Sequence, residues 1–244
     1  IQSGNDASCA IAEHVAGSEN NFVDLMMRYA EQLGLRNTNF INATGWPDND
    51  HYSSAEDIAK ISSLLINNFP EHYSLYKEKW FTFNDISQRN RNALLWQDDS
   101  IDGLKTGHTE SAGYCLVSSG VKNNTRLIAV TLNSSSEKTR LTDNRRLLDY
   151  GFRYYRTQKI ISRNQSIKEA QVWGGVKEFV GLSPVKDFYL TLPLRDFKKI
   201  EPSVILNNHL QAPLEENEVV GKIIFNLGEE EVGSIKLMTL EEVE

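Results

Sequence analysis

Hydrophobic and polar positions along the first 155 residues follow mostly helical spacing. Between Ser18 and Gly34, apolar side chains recur three and four residues apart, which predicts a core-facing helix that begins at a Ser18 N-cap and ends at Gly34. Three more helices are predicted: over residues 7–16 with Asn5 or Asp6 as cap, from a capping box at residues 53–56, and over residues 136–155.

Strand patterns are few in this part and dominate the rest of the chain. Residues 80–83 form a short predicted strand, and alternating stretches at 113–119 and 126–132 flank a Lys122-Asn123-Asn124 turn, which is typical of a hairpin. Beyond about residue 156, short β-like runs follow one another at residues 170–173, 188–192, 203–206, 219–225 and 234–238. We therefore predict two domains, residues 1–155 with mixed helices and strands and residues 156–244 as a small all-β domain.

Composition and charge narrow the classes of function. The 244 residues carry 26 Lys and Arg against 33 Asp and Glu, a net charge of −7, and 40% of them are hydrophobic. Binding to nucleic acid or anionic lipid needs clustered Lys and Arg, and the sequence has no such cluster, so no nucleic-acid partner is predicted. The longest apolar stretches are far shorter than the about 18–20 residues that a membrane-spanning helix needs.

Disulfide and metal chemistry have little support in the sequence. Cys9 and Cys115 are too few for a disulfide framework or a cysteine-based zinc site. Two separate half-buried thiols are the favoured interpretation, and a single bridge remains open. The histidines show no H-x-x-x-H spacing that would indicate a metal site.

Two short motifs carry the candidate chemistry, Ser3-Gly4-Asn5 and Lys105-Thr106-Gly107, and their first residues are 102 positions apart. Serine acyl-transfer enzymes that bind penicillin use S-x-x-K, S-x-N and K-T-G in that order. The serine of S-x-N can pass a proton to the leaving group, while the asparagine amide hydrogen-bonds a peptide carbonyl of the substrate. Taken alone, the first motif also fits a helix cap and the second a solvated turn.

The K-T-G motif supplies groups for an extended, anionic substrate. Lys105 and Thr106 offer a cation and a hydroxyl to a carboxylate, and Gly107 has no side chain to obstruct a peptide lying along a strand edge. The backbone N–H of His108, directly after the motif, is suitably placed to form half of an oxyanion hole.

Around these motifs the chain resembles the low-molecular-mass penicillin-binding proteins, the D-alanyl-D-alanine carboxypeptidases of bacterial cell-wall metabolism. The similar strings lie at residues 3–7, 51–57, 76–78, 90–92, 102–109, 112–114, 212–214 and 220–221. The resemblance implies an α/β (α+β) penicillin-recognising domain, partial here, with an antiparallel sheet between helices, followed by a small all-β sandwich domain. It also implies a serine peptidase that removes the terminal D-Ala of peptidoglycan stem peptides through an acyl-enzyme and that β-lactam antibiotics acylate.

The resemblance also assigns the site. Ser3 and Asn5 match S-x-N, the Lys105-Thr106-Gly107 string matches K-T-G, and His108 matches the position whose N–H holds the oxyanion. Arg91 matches an arginine near the carboxylate-binding end, although from the residues alone a structural salt bridge is an equal alternative. The mechanism needs no metal or cofactor. The family works in the periplasm, on the outer face of the inner membrane, where a C-terminal amphipathic helix anchors it.

The S-x-x-K motif, which holds the nucleophilic serine and its lysine base, has no match before Ser3. Four later serines have the required spacing to a lysine: Ser74, Ser119, Ser135 and Ser183. In the family the motif precedes S-x-N, so we expect the nucleophile and base to lie upstream of Ile1, and the chain to be trimmed at both ends. The alternatives are a class A-like β-lactamase, disfavoured because no Glu-x-x-x-Asn string occurs, and a non-catalytic wall-binding protein of the same fold.

Overall fold

In the computed structural model, which describes residues 1–163 and 165–244, the chain divides into two units. The first comprises residues 1–122 and 126–153, and the second comprises residues 123–125 and 154–244. None of the helices in the described part of the chain is both long enough and apolar enough to cross a membrane.

The first unit combines helices with a small sheet. The helices in this part of the chain are α1 (Asn5–Ala16), α2 (Glu19–Gln32), α3 (Ala55–Asn68), α4 (Pro70–Ser74) and α5 (Glu137–Tyr154). The strands are β1 (Trp80–Phe83), β2 (Ile86–Arg89), β3 (Ile101–Thr109), β4 (Gly113–Lys122) and β5 (Thr125–Ser134). β1 and β2 form an antiparallel pair, while β3, β4 and β5 form a three-stranded sheet in that order, with β3 antiparallel to β4.

The first two helices begin in different ways. Ser18 caps α2 as predicted, because its Oγ accepts a hydrogen bond from Asn21 N at 3.2 Å. The predicted cap of α1 was wrong: Gly4 is the N-cap, and Asn5 and Asp6 lie inside the first turn without a capping bond. In that position the Asp6 carboxylate still faces the positive end of the helix dipole.

The N-cap of α3 lies one residue later than predicted. Ser54 is the N-cap, and its Oγ accepts a hydrogen bond from Asp57 N at 3.2 Å. The Ser53 hydroxyl is instead 2.8 Å from the hydroxyl of Thr38, and the Asp57 carboxylate accepts bonds from Asn37 N and Thr38 Oγ1, both at 2.8 Å. Tertiary partners therefore decide which serine is free to cap the helix.

The β4–β5 hairpin forms at the predicted turn. Asn123 and Asn124 have φ values of 50° and 61°, the left-handed conformation that asparagine tolerates and that tight hairpins need. This turn sets the register of the sheet that carries the candidate chemistry.

Helix α5 lies against this sheet through a buried stripe with a spacing of four residues, formed by Arg140, Asn144, Leu148 and Phe152. The Nδ2 atom of Asn144 donates to Leu116 O at 3.0 Å and to Ala129 O at 3.1 Å, so one side chain joins the helix to two strands. The Ser118 hydroxyl donates to the Oδ1 atom of the same asparagine. Polar bonds and apolar packing therefore hold the helix in place together.

The second unit is all β. Its strands are β6 (Tyr155–Ile161), β7 (Lys168–Trp173), β8 (Phe179–Pro184), β9 (Phe188–Pro193), β10 (Ile200–Leu206), β11 (Leu210–Gln211), β12 (Val219–Leu227) and β13 (Glu230–Thr239). Six of them form a sheet in the order β10-β12-β13-β8-β7-β11, and β6 pairs with β9. The structure confirms the predicted fold class, a mixed helix and sheet part with an antiparallel sheet followed by an all-β part.

Three of these strands were missed: β11 has only two residues, and the sequences of β6 and β8 are not typical of strands. Strand β6 carries charged residues and continues directly from α5, so its first residue was given to the helix. Strand β8 contains Gly181 and ends at Pro184, both of which are depleted in strands. Both cysteines are free and half-buried, which confirms the interpretation as two separate thiols.

Candidate active site

The Lys105-Thr106-Gly107 motif lies on strand β3 rather than in a solvated turn. Burial alternates along the strand, so that Leu104 and Thr106 are buried while Lys105 is half-buried and Gly107 is exposed. In the β3–β4 register Gly107 lies opposite Cys115, and His108 lies opposite Tyr114. The motif therefore presents one cationic side chain and one bare stretch of backbone on the same face.

The two motifs meet through one hydrogen bond. The Nζ atom of Lys105 donates to Ser3 Oγ at 2.5 Å and to Thr106 O at 2.7 Å. Ser3 has a left-handed backbone conformation, with φ 54°, and Asn5 begins α1 two residues later. Non-glycine residues in this conformation are uncommon and concentrate at functional sites.

All seven sequence-predicted residues line one cleft of about 1050 Å³ in the first unit: Ser3, Asn5, Arg91, Lys105, Thr106, Gly107 and His108. This volume is in the range of small-molecule and peptide sites. The structure therefore brings together side chains from the S-x-N string, the K-T-G strand and the segment that carries Arg91.

Three cationic side chains of the cleft lie near one another, Lys105, Arg91 and Arg140. Burial lowers the pKa of Lys105, and the nearby positive charges of Arg91 and Arg140 lower it further. An anion bound among these three cations would stabilise the ammonium form of Lys105 and relieve their mutual repulsion.

Two buried asparagines hold the segment that presents Arg91. Asn90 Nδ2 donates to Glu78 O at 2.9 Å, and Asn92 Nδ2 donates to Gly103 O at 3.0 Å. Because Gly103 lies two residues before the K-T-G lysine, the second bond ties the Arg91 segment directly to the strand of the site. Arg91 itself is exposed and lines the cleft.

A second polar network lies beside the start of β3. Tyr73 Oη donates to Asp102 Oδ1 at 2.5 Å, and Arg126 donates to both Asp102 oxygens at 2.9 and 2.7 Å. A Cβ atom on Gly103 would lie only 2.7 Å from Tyr73 Oη, so only glycine fits between this network and the sheet. This network fixes the backbone that leads into the motif.

Sequence reasoning missed Arg140, which lines the cleft from α5 and is only 5% exposed. Its Nη1 atom donates to Gly107 O at 3.2 Å, and its guanidinium carbon lies 5.5 Å from the ring centre of Tyr114. The signal was present: Arg140 and Asn144 interrupt the i, i+4 line that continues through Leu148 and Phe152. Polar residues on the buried stripe of a helix indicate tertiary hydrogen bonds.

The mouth of the cleft has an ordered loop that was predicted only as irregular. Asn42 Oδ1 accepts bonds from the backbone N–H groups of Thr44, Gly45 and Trp46 at 3.2, 2.7 and 3.0 Å, and its Nδ2 donates to Trp46 O at 2.9 Å. The Trp46 side chain is 68% exposed and lines the cleft.

The four serines with S-x-x-K spacing lie elsewhere. None of them is among the described residues that line the cleft. The hydroxyl of Ser74 donates to Glu71 O, Ser119 accepts a bond from Arg126, and Ser135 bonds Thr139. Ser183 is fully buried in the second unit.

A three-stranded sheet packed against α5, with an S-x-N serine bonded to the lysine of K-T-G, carries two of the three motifs that mark the class of penicillin-recognising proteins. Within that class, residues 1–136 match the family model described as D-alanyl-D-alanine carboxypeptidase, and the chain belongs to this family. Residues 155–244 match a second model, described as the C-terminal domain of penicillin-binding protein 5.

Relatives and a solved structure agree with the family. The chain is 41% identical over 246 positions to the D-alanyl-D-alanine carboxypeptidase DacA of Haemophilus influenzae, spanning 100% of this chain and 63% of that protein. It is 42% identical over 245 positions to DacA of Escherichia coli K12, spanning 100% of this chain and 61% of that protein. The crystal structure of penicillin binding protein 5 from Haemophilus influenzae matches with a TM-score of 0.83 and 40% identity, over 99% of this chain and 71% of that one. The chain thus spans about three fifths of the length of these two carboxypeptidases.

Proposed function

We propose that the protein is a serine-type D-Ala-D-Ala carboxypeptidase that removes the terminal D-Ala from peptidoglycan stem peptides and is acylated by β-lactam antibiotics. The observation that carries the proposal is the bond between Ser3 Oγ and Lys105 Nζ inside the cationic cleft. The family membership of the chain supports it independently.

Substrate binding follows from the charges and the strand. The C-terminal carboxylate of the stem peptide lies against Lys105, Thr106 and Arg91, where the three-cation cluster attracts it. The peptide then runs along β3 past Gly107, whose missing side chain allows close approach. The Asn5 amide hydrogen-bonds a peptide carbonyl from the opposite wall.

Hydrolysis proceeds in two steps, acylation and deacylation. A serine hydroxyl attacks the carbonyl carbon of the penultimate D-Ala, its proton passes to a lysine base, and the oxyanion receives a hydrogen bond from His108 N–H. The C–N bond then breaks, D-Ala leaves with a proton relayed through Ser3, and an ester remains on the enzyme. Water then loses a proton to the lysine base and adds to the ester carbonyl. The proton passes to the serine oxygen as the ester C–O bond breaks, which releases the shortened peptide and the free serine.

The nucleophilic serine and its lysine base belong, in this proposal, to a part of the protein outside the 244 residues. The greater length of the relatives supports this, as does the position of the four S-x-x-K matches away from the cleft. Residues 1–155 then form part of the catalytic domain, and residues 156–244 form a β-sandwich domain. We also propose a periplasmic location on the outer face of the inner membrane, with a C-terminal amphipathic anchor.

The test compares the complete gene product with residues 1–244 alone. We expect the complete protein to be labelled by a fluorescent penicillin and to release D-Ala from a stem-peptide mimic, whereas residues 1–244 should do neither. Absence of labelling in the complete protein would overturn the proposal and favour a non-catalytic wall-binding protein. Rapid loss of label with little D-Ala release would point to a β-lactamase instead.

A further inference from the structure

One peptide group in the cleft is contacted at its carbonyl end by a buried charge. The carbonyl of Gly107 accepts a hydrogen bond from Arg140 Nη1 at 3.2 Å, and the N–H of the same peptide group belongs to His108. That N–H is the proposed oxyanion donor. Arg140 therefore acts on the far end of the group that would hold the developing negative charge.

A hydrogen bond to a peptide carbonyl strengthens the N–H of that peptide as a donor. The two ends of a peptide group share one delocalised π system, so withdrawing electron density at oxygen makes the N–H more positive. The bond from Arg140 is charge-assisted, and hydrogen bonds of this kind are roughly twice as strong as neutral ones. Arg140 is only 5% exposed, so water screens its charge weakly.

The surroundings hold Arg140 in place for this contact. Its guanidinium carbon lies 5.5 Å from the ring centre of Tyr114, and its Nη2 is 3.3 Å from Glu137 Oε1. The Tyr114 ring also contacts the imidazole of His108, with ring centres 4.0 Å apart and planes inclined by 32°. Tyr114 thus contacts both Arg140, which bonds the carbonyl of this peptide group, and His108, which supplies its N–H.

We propose that Arg140 is a positioning residue for the oxyanion hole: it fixes and polarises the Gly107–His108 peptide through the Gly107 carbonyl, with Tyr114 packed against both Arg140 and His108. This inference rests on the proposed function. It assigns Arg140 an effect on ligands that carry no carboxylate, which distinguishes it from a direct anion-binding role.

The test uses the complete protein and acetamidomethylboronic acid, which has no carboxylate. The serine oxygen adds to boron, its proton passes to the base, and an oxygen on the now tetrahedral boron occupies the oxyanion position. We expect Arg140→Gln to weaken boronate binding on the order of tenfold, less than the roughly 10²–10³ cost of deleting an oxyanion donor, because the N–H itself remains. Arg140→Lys should recover part of the loss.

Arg146→Gln is the matched control, because Arg146 lies on the same helix as Arg140 but its side chain is 77% exposed and does not line the cleft. It should leave the binding of both the boronate and a carboxylate-bearing β-lactam unchanged. A loss in Arg140→Gln that is confined to carboxylate-bearing ligands, or no loss at all, would overturn the inference. If the unchanged protein binds neither boronate nor penicillin, the proposed function itself has failed.

Two further measurements test the inference if Arg140→Gln folds poorly. Tyr114→Leu keeps the guanidinium but removes the ring, and should weaken boronate binding less than Arg140→Gln, while Tyr114→Phe should bind like the unchanged protein. With ¹⁵N-histidine labelling, Arg140→Lys should shift the amide nitrogen resonance of His108 more than those of the other histidines. An unmoved His108 resonance and unchanged binding in Tyr114→Leu would contradict the inference.

Discussion

The two units bury polar side chains to different extents. The core of the second unit is a continuous apolar cluster that includes Leu182, Ile223, Phe225 and Leu237, each at most 2% exposed. The first unit has a smaller apolar cluster and buries a series of polar residues: Asn90, Asn92, Thr106, Ser118, Ser119, Arg140 and Asn144. Burying polar groups costs free energy unless each finds a partner.

The hydrogen-bond partners of these polar side chains show what the buried polar groups of the first unit do. Asn92 bonds Gly103 O, Asn144 bonds Leu116 O, and Arg140 bonds Gly107 O, so each fixes a backbone carbonyl of β3 or β4. Apolar contacts are not directional, whereas hydrogen bonds fix a backbone group in position and orientation. The first unit therefore uses several buried hydrogen bonds to align the strand of the site, and the second unit relies mainly on apolar burial.

The largest effect should come from the apolar core of the second unit. Leu237→Ala removes a side chain with 0% exposure, and buried Leu→Ala changes cost about 2–5 kcal/mol in free energy of unfolding. Calorimetry should show a lower transition for this unit, while the rate of penicillin acylation stays unchanged. Leu194→Ala, at a position 46% exposed, is the control and should have little effect. If the acylation rate of Leu237→Ala fell together with its stability, the apolar core of the second unit would also be needed for the site.

The next effect should appear in activity without a change in stability. Lys105→Gln removes the cation that bonds Ser3, and hydrogen bonds to charged groups contribute about 1.5–3 kcal/mol, so kcat/KM for D-Ala release should fall roughly 10- to 100-fold. The melting temperature should stay the same, because a partly buried cation beside two arginines adds little to folding. A large drop in melting temperature would show that Lys105 has a structural role.

Removing a buried hydrogen-bonding side chain of the first unit should lower both stability and the rate of acylation. Asn144→Ala leaves the carbonyls of Leu116 and Ala129 without this partner, and an unsatisfied buried group costs about 1–3 kcal/mol. We expect both the melting temperature of the first unit and the acylation rate to fall. Arg146→Ala, on the exposed side of the same helix, is the matched control. If Asn144→Ala lost stability but kept its acylation rate, the buried hydrogen bonds of the first unit would not be what aligns the site.

The smallest effect concerns pH. Lys105 is charged below its pKa, and that pKa is lowered by burial and by the two arginines, so activity should decline with rising pH earlier than for an ordinary lysine. Arg91→Gln removes one of these charges and should move the basic limb of the kcat/KM profile to higher pH, by less than about one unit because Arg91 is exposed and screened. Profiles normalised to each maximum separate this shift from weaker binding. If the basic limb did not move in Arg91→Gln, a group other than Lys105 would control it.

Local chemistry explains what the sequence could predict. The Ser18 cap and the Asn123-Asn124 turn depend on neighbours within a few residues, and both were found at their predicted places. The predicted core-facing stripe of α2 was only partly right, because Ala30 is buried whereas Tyr29 and Leu33 are 56% and 41% exposed. The motif residues of the site were found because the residue types and their order are specific. Their roles in catalysis remain predictions.

Features that depend on distant partners were not predicted. The cap of α3 moved to Ser54 because Ser53 bonds Thr38, which is 15 residues away. The i, i+4 spacing places Arg140 on the same line as the buried Leu148 and Phe152, but its partner Gly107 follows only from the packing of α5 on the sheet. Periodicity shows which residues face inward, but it does not show which backbone group each polar side chain will meet.

The bond between Ser3 and Lys105 also has a consequence for folding. It joins positions 102 residues apart, so closing it requires a large loss of chain entropy that the helices and strands between them must first reduce. We expect this contact to form late in folding and to break early during partial unfolding. Mild heat or denaturant should therefore abolish penicillin labelling before the bulk of the secondary structure is lost.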